Sequence, residues 1–148
     1  MELLFTIDAE SDNPTMLLNS YIGVDDKGVG IDGALFQKEL YYLDSLGKSK
    51  ITVKINSPGG SVDDGQKIYD AILNTKTKVD TYCAGIAASI AAVIFQAGRN
   101  RIIADYGTLM YHNPHGGDDK LALEKLKTAI VTMVASRVKD LSEGDIDL

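Results

Sequence analysis

The feature that most restricts this chain is an alternation of strand pattern, glycine-containing turn and helix pattern, which occurs twice in succession between Ile51 and Ala97. Ile51-Thr52-Val53-Lys54-Ile55 alternates with β-branched residues and predicts a strand. Asn56-Ser57-Pro58-Gly59-Gly60 follows, and a proline beside two glycines rules out a regular element there. Val62 to Leu73 predicts a helix with Val62, Gly65, Ile68, Tyr69 and Ile72 on its inward stripe. Lys78 to Cys83 predicts the next strand, and Gly85 permits a sharp turn. The alanine-rich run from Gly85 to Ala97 predicts a tightly packed helix that Gly98 ends. Such units joined by short links predict an α/β fold with a largely parallel sheet, buried by helices on both faces.

The flanking segments fit around these units. Leu3 to Ile7 and Met16 to Ile22 predict strands, with Ser11-Asp12-Asn13-Pro14 as turn chemistry between them. Asp32 predicts the cap of a helix running to about Leu46, with Phe36, Leu40 and Leu43 on one face and Gly47 at its end. Arg101 to Ala104 and Thr108 to His112 predict short strands. Leu121 to Leu141 predicts a long helix with Leu126, Ile130, Met133 and Val134 facing inward. Gly23 to Gly30 and Asn113 to Asp119 are loop-like, either surface connections or functional loops.

The 148 residues suit one domain with a real core. Fifteen Lys and Arg stand against twenty-one Asp and Glu, a net charge of −6 with no basic patch, which argues against nucleic acid as a partner. The one cysteine, Cys83, has apolar neighbours and suits a buried small side chain in a reducing, cytoplasmic compartment. Residues 1–8, MELLFTID, have neither a basic start nor a long apolar run, so neither a signal peptide nor a membrane span is expected.

The candidate chemistry centres on Ser89. A serine in the first turn of such a helix lies close to unpaired backbone N–H groups and the positive end of the helix dipole, and an oxyanion formed by attack on a carbonyl needs such donors. Taken alone, this stretch reads first as a small serine tolerated in a close helix contact. The turns at Ser57-Pro58-Gly59-Gly60-Ser61 and Ala84-Gly85-Ile86 both end strands and open helices, so both free backbone N–H groups. His112 closes a strand in Met110-Tyr111-His112-Asn113-Pro114 and is a candidate general base, or else a packed imidazole. His115, in a glycine-rich loop, suits an exposed and incidental role.

Taken in order, Asn56-Ser57-Pro58-Gly59-Gly60-Ser61-Val62, then Gly65 and Ile68-Tyr69-Asp70-Ala71-Ile72, then Gly85 to Ala92 with Ser89 inside it, then Met110 to Gly116, resemble the proteolytic subunit of the Clp protease family. The match covers roughly Ile51 to Gly117. The resemblance implies a ClpP/crotonase-like fold of repeated β-β-α units and a serine endopeptidase. In that family pattern Ser89 would be the nucleophile and His112 the base, with Gly60 and Ile90 supplying oxyanion-hole N–H groups. Gly59, Ser61, Val62, Asn113 and Pro114 would pair with the peptide as an added strand. It also implies a polypeptide substrate, ring-type homo-oligomers, and no metal or cofactor.

Two features depart from the family pattern. The family's acidic triad member follows the long helix, and none of Asp140, Glu143, Asp145 or Asp147 matches its position, so no triad acid is assigned. The expectation is a single domain over residues 1–148 that lacks the C-terminal part of the family domain; losing the acid can cost about 10⁴ in rate. Residues 1–27 do not resemble the family's segment that meets an ATP-driven unfoldase, which leaves an ATPase partner open. They are closer to the phage and prophage branch, which processes capsid or scaffold proteins. An inactive assembly subunit and a crotonase-like acyl-CoA enzyme are the alternatives.

Overall fold

The computed structural model describes residues 1–111, 120–135 and 137. Four strands in a row, β1 (Thr15–Leu18), β4 (Lys50–Ser57), β5 (Lys78–Ala88) and β6 (Arg101–Ile103), form a sheet, and β7 (Thr108–Met110) pairs with the far end of β5. Every pairing in this sheet is parallel. Parallel neighbours require crossovers, and the helices α1 (Gly33–Ser45), α2 (Val62–Asn74) and α3 (Ile90–Phe95) supply them. A short antiparallel hairpin, β2 (Gly23–Val24) and β3 (Gly30–Ile31), stands before α1, and α4 (Lys120–Ala135) follows the sheet.

The helix ends follow from local chemistry. Asp32 caps α1 by accepting from the Leu35 N–H at 3.0 Å, and Ser61 caps α2 by accepting from the Asp64 N–H at 3.2 Å. Phe36, Leu40 and Leu43 of α1 and Gly65, Ile68, Tyr69 and Ile72 of α2 are buried as the stripes predict, while Val62 is half-buried against the core. In α4, Ile130 and Val134 are buried and Met133 packs on the core at its edge.

Several expectations are corrected. Burial alternates along β4, with Ile51, Val53 and Ile55 fully buried but Lys54 and Asn56 exposed, so among the described residues helices cover one face and the other stays open. Leu3 to Ile7 is not a strand and keeps only a bridge from Thr6 to Met16. The reason is Glu39, 3 % exposed, whose carboxylate takes the backbone N–H groups of Leu4 and Phe5, which a ladder would otherwise use, together with the Thr6 hydroxyl, at 2.5–2.9 Å. The second strand closes at Leu18 and not at Ile22. Gly23 to Gly30 is largely the β2–β3 hairpin, closed by Asp25, which accepts from the Lys27 and Val29 N–H groups at 2.9 Å.

Candidate active site

The first junction joins β4 to α2. Ser57 is fully buried, and its hydroxyl donates to the Ser20 carbonyl at 2.7 Å while accepting from the Gly59 N–H at 3.1 Å. That pins the turn from inside. Gly59 and Gly60 then take φ of 95° and 147°, conformations that side chains rarely adopt. Ile22 lies alongside as a one-residue parallel bridge, donating to the Gly59 carbonyl at 2.9 Å and accepting from the Ser61 N–H at 2.8 Å. The bridge uses the groups on either side of the Gly60 N–H, which donates to no acceptor among the described residues.

The second junction joins β5 to α3, and here the sequence reading is corrected. Gly85 to Ala88 belongs to the strand, and the helix runs only from Ile90 to Phe95. Alanine favours helix, but pairing of Ile86, Ala87 and Ala88 with Thr108, Leu109 and Met110, and of Ala87 with Ser57, holds this run extended. Ser89 is therefore not inside the first turn; it is the residue between strand and helix. Its φ of 58° and ψ of −128° make it the one non-glycine residue at positive φ among the described residues. Holding a serine there costs on the order of 1–3 kcal/mol, which the surroundings must supply.

The surroundings can be named. The Ser89 N–H donates to the Met110 carbonyl at 2.7 Å, and the Ser89 carbonyl accepts from Ala92 and Val93 at 3.0 and 3.4 Å. The backbone is fixed on both sides. The hydroxyl makes no capping bond, and the residue is half-buried, so Oγ is left for chemistry. The Ile90 N–H, an orphan donor of the first helical turn, meets no acceptor among the described residues.

The two junctions are packed against each other. A Cβ on Gly59 would lie 2.6 Å from the Ala88 carbonyl oxygen, 2.8 Å from Ser89 Cβ and 3.4 Å from the Ile90 nitrogen, so only glycine fits. A Cβ on Gly65 would meet the Ile90 side chain at 2.2 Å, so α2 and α3 also touch at their starts. Asn56 makes the third link. The step from Ile55 to Ser57 is two positions along β4 but four along β5, from Cys83 to Ala87, and this register shift leaves the Ile86 N–H without a ladder partner. The Asn56 side-chain oxygen accepts it at 3.1 Å, and Gly85 leaves room for the amide to lie there.

Of the residues expected from sequence, Ser89, Ile90, Gly59 and Gly60 are brought together, and Ser61 and Val62 open α2 beside them. His112, Asn113, Pro114 and His115 lie outside the described residues, as do Asp140, Glu143, Asp145 and Asp147. The strand leading to them is anchored. Tyr111 accepts from Gln96 Nε2 at 2.7 Å and donates to the Ala92 carbonyl at 3.4 Å; burial raises its phenol pKa above the ordinary value. Asn56, Ser57 and Ile22 are the supporting residues that sequence reasoning missed. A clue for the first two was their place directly before Pro58-Gly59-Gly60; Ile22 carried no local signal.

A parallel sheet whose central strand ends in a serine at positive φ, packed against a glycine turn, defines an α/β class with a candidate nucleophile at a strand-to-helix junction. A profile described as Clp protease matches residues 24–140, and the chain belongs to that family. The ATP-dependent Clp protease proteolytic subunit of Bacteroides thetaiotaomicron is 39% identical over 75% of this chain and 54% of its own length. Proteolytic subunit 3 of a Synechococcus strain is 44% identical over 55% of this chain and 42% of its own. The chain thus spans about half the length of these relatives. Among solved structures, the ClpP protease catalytic domain of Plasmodium falciparum superposes with a TM-score of 0.74 at 26% identity, covering 88% of this chain and 70% of that one. A ClpP1 mutant from Listeria monocytogenes gives 0.76 at 26% identity, covering 88% and 75%. Among the described residues, no helix is long and apolar enough to cross a membrane.

Proposed function

We propose that this chain is a serine endopeptidase that hydrolyses peptide bonds through an acyl-enzyme. The observation that carries the reading is Ser89 at φ 58°, with its hydroxyl unused by the helix and Gly59 packed on its Cβ. In the proposed mechanism Ser89 Oγ attacks the scissile carbonyl carbon as His112 takes its proton. The oxyanion is held by the Gly60 and Ile90 N–H groups. Collapse expels the amine, which takes the proton from His112, and water then releases the acyl group by the same steps in reverse order. Asn113 and Pro114 pair with the peptide backbone, while Gly59 and Ser61, expected to pair as well, have their N–H and carbonyl groups already bonded to Ser57, Ile22 and Gly65 and so lie beside the peptide with Val62 without that pairing.

The site would work in a cytoplasmic, ring-type homo-oligomer, a reading supported by relatives that are named proteolytic subunits. Those relatives are named ATP-dependent, and an ATPase partner is proposed here only by that analogy. Processing of phage capsid or scaffold protein is the finer reading and rests on residues 1–27 alone. A fluorophosphonate probe tests the chemistry: it labels Ser89 in the assembled chain and not in Ser89→Ala, and a fluorogenic peptide is cleaved only by the former. Absence of both signals in an assembled oligomer would replace the peptidase with an inactive assembly subunit.

A further inference from the structure

Gln96 is a buried polar residue that the catalytic reading leaves without a role. It follows α3, between the buried Phe95 and Ala97, and is itself 8% exposed. A buried amide is costly unless its groups are bonded, and here each of them is. The Gln96 backbone N–H donates to the Val93 carbonyl at 3.0 Å, and its carbonyl accepts from Arg137 Nε at 3.0 Å. Its side-chain oxygen accepts from Arg101 Nη1 at 3.1 Å, and its side-chain nitrogen donates to the Tyr111 hydroxyl at 2.7 Å. A guanidinium only donates, so Arg101 fixes which way the amide points and leaves its nitrogen for Tyr111.

These bonds close a loop around the helix that follows Ser89. At the start of α3 the Ser89 N–H donates to the Met110 carbonyl at 2.7 Å; at its end Gln96 holds the hydroxyl of Tyr111, the residue next to Met110. Midway along the helix, the same hydroxyl donates to the Ala92 carbonyl at 3.4 Å. Among the described residues β7 pairs with β5 alone, and over only three residues, Thr108 to Met110. The Tyr111 hydroxyl is therefore a second attachment for the short strand whose last carbonyl holds Ser89 at positive φ. Arg137, just past α4, braces the far end: it donates to the Gln96 and Gly98 carbonyls, and its own carbonyl accepts from Arg101.

We propose that Gln96 is a positioning residue for Ser89, acting through Tyr111 and Met110; the proposal rests on the peptidase reading. Cleavage of a fluorogenic peptide by the full chain tests it. Gln96→Leu and Tyr111→Phe are each expected to lower kcat about tenfold with KM changed less than about twofold, since a misplaced nucleophile slows attack and not binding. The double variant is expected to be no slower than either single one, because both break the same link. Gln96→Glu, whose carboxylate accepts from Arg101 and from the Tyr111 hydroxyl, is expected to recover most of the rate. Ile51→Val, in the fully buried start of β4, is the stability control and should cleave as the wild type does. Wild-type kcat in both single variants, or losses that multiply in the double variant, overturn the proposal. Should Gln96→Leu fail to fold, the kcat of Tyr111→Phe decides alone. Fluorophosphonate labelling of wild-type Ser89 reports separately on the peptidase reading. If that labelling and cleavage are both absent, amide hydrogen exchange decides the placement. The Ser89 N–H is then expected to exchange about tenfold faster in Tyr111→Phe than in the wild type, with that of Thr52, bonded to the Pro14 carbonyl at 3.0 Å, unchanged. Equal exchange at Ser89 overturns it.

Discussion

The two strand-to-helix junctions solve the same geometric problem with opposite chemistry. At β4–α2 the chain turns on Gly59 and Gly60, both at positive φ, where glycine carries little strain, and what it presents is backbone. At β5–α3 the chain turns on Ser89 at positive φ, where a side chain is strained, and what it presents is a hydroxyl. One junction relaxes so that another group can approach closely; the other is held under strain so that one atom points outward. Glycine at 59 and serine at 89 are two halves of one contact, since the missing Cβ of the first is filled by the Cβ of the second.

Making the second junction resemble the first gives the largest effect. Ser89→Gly is expected to abolish fluorophosphonate labelling and lower peptide cleavage by at least about 10³-fold. It is also expected to raise stability by about 1 kcal/mol, the relieved strain less the entropy of an added glycine. Thermal melting beside an activity assay checks both signs; a stability loss would remove strain from the account of Ser89.

Making the first junction resemble the second comes next. Gly59→Ala forces a Cβ onto the Ala88 carbonyl and Ser89 at an unfavourable φ of 95°, and is expected to cost more than about 2 kcal/mol together with most of the labelling. Gly28→Ala, at φ 79° in open space, is the matched control and should cost only about 1 kcal/mol, with labelling retained. Urea midpoints of the two variants separate packing from backbone strain.

A subtler break removes the link between the junctions. Asn56→Ala leaves the Ile86 N–H without its acceptor and is expected to cost about 1 kcal/mol and to slow acylation of Ser89 about tenfold. Asn56→Asp keeps a side-chain oxygen at that place and should recover most of the rate. The smallest effect concerns the strand that fixes the Ser89 N–H. Burial raises the Tyr111 pKa, so the neutral phenol adds stability that is fully present below the unfolded value near 10 and is lost as pH rises through the folded value. Urea midpoints between pH 8 and 11 should fall more steeply for the wild type than for Tyr111→Phe.

Legibility in the sequence followed the range of the interactions. Asp32 and Ser61 announced the starts of α1 and α2 because a cap bonds only three residues ahead, at Leu35 and Asp64. Ser89, Ile90 and the Gly59-Gly60 turn were legible as a set because their order and spacing are written along the chain. Asn56 and Ser57 stood in the same motif, but their roles depend on Ile86 and Ser20, thirty and thirty-seven residues away.

By itself the sequence determined the repeated strand–turn–helix plan, the capped helices and the candidate nucleophile, since period, caps and turn residues act locally. Tertiary structure alone decided that Gly85 to Ala88 is strand, because β4 and β7 supply pairing that outweighs the helical preference of alanine. It also decided that Leu4 to Thr6 docks on a buried carboxylate, and that the Gly23 to Gly30 segment is a hairpin bonded to the glycine turn through Ile22. Above all it decided the φ of Ser89. A residue stays in a strained conformation only when partners distant in sequence, here Met110 and Gly59, hold it there.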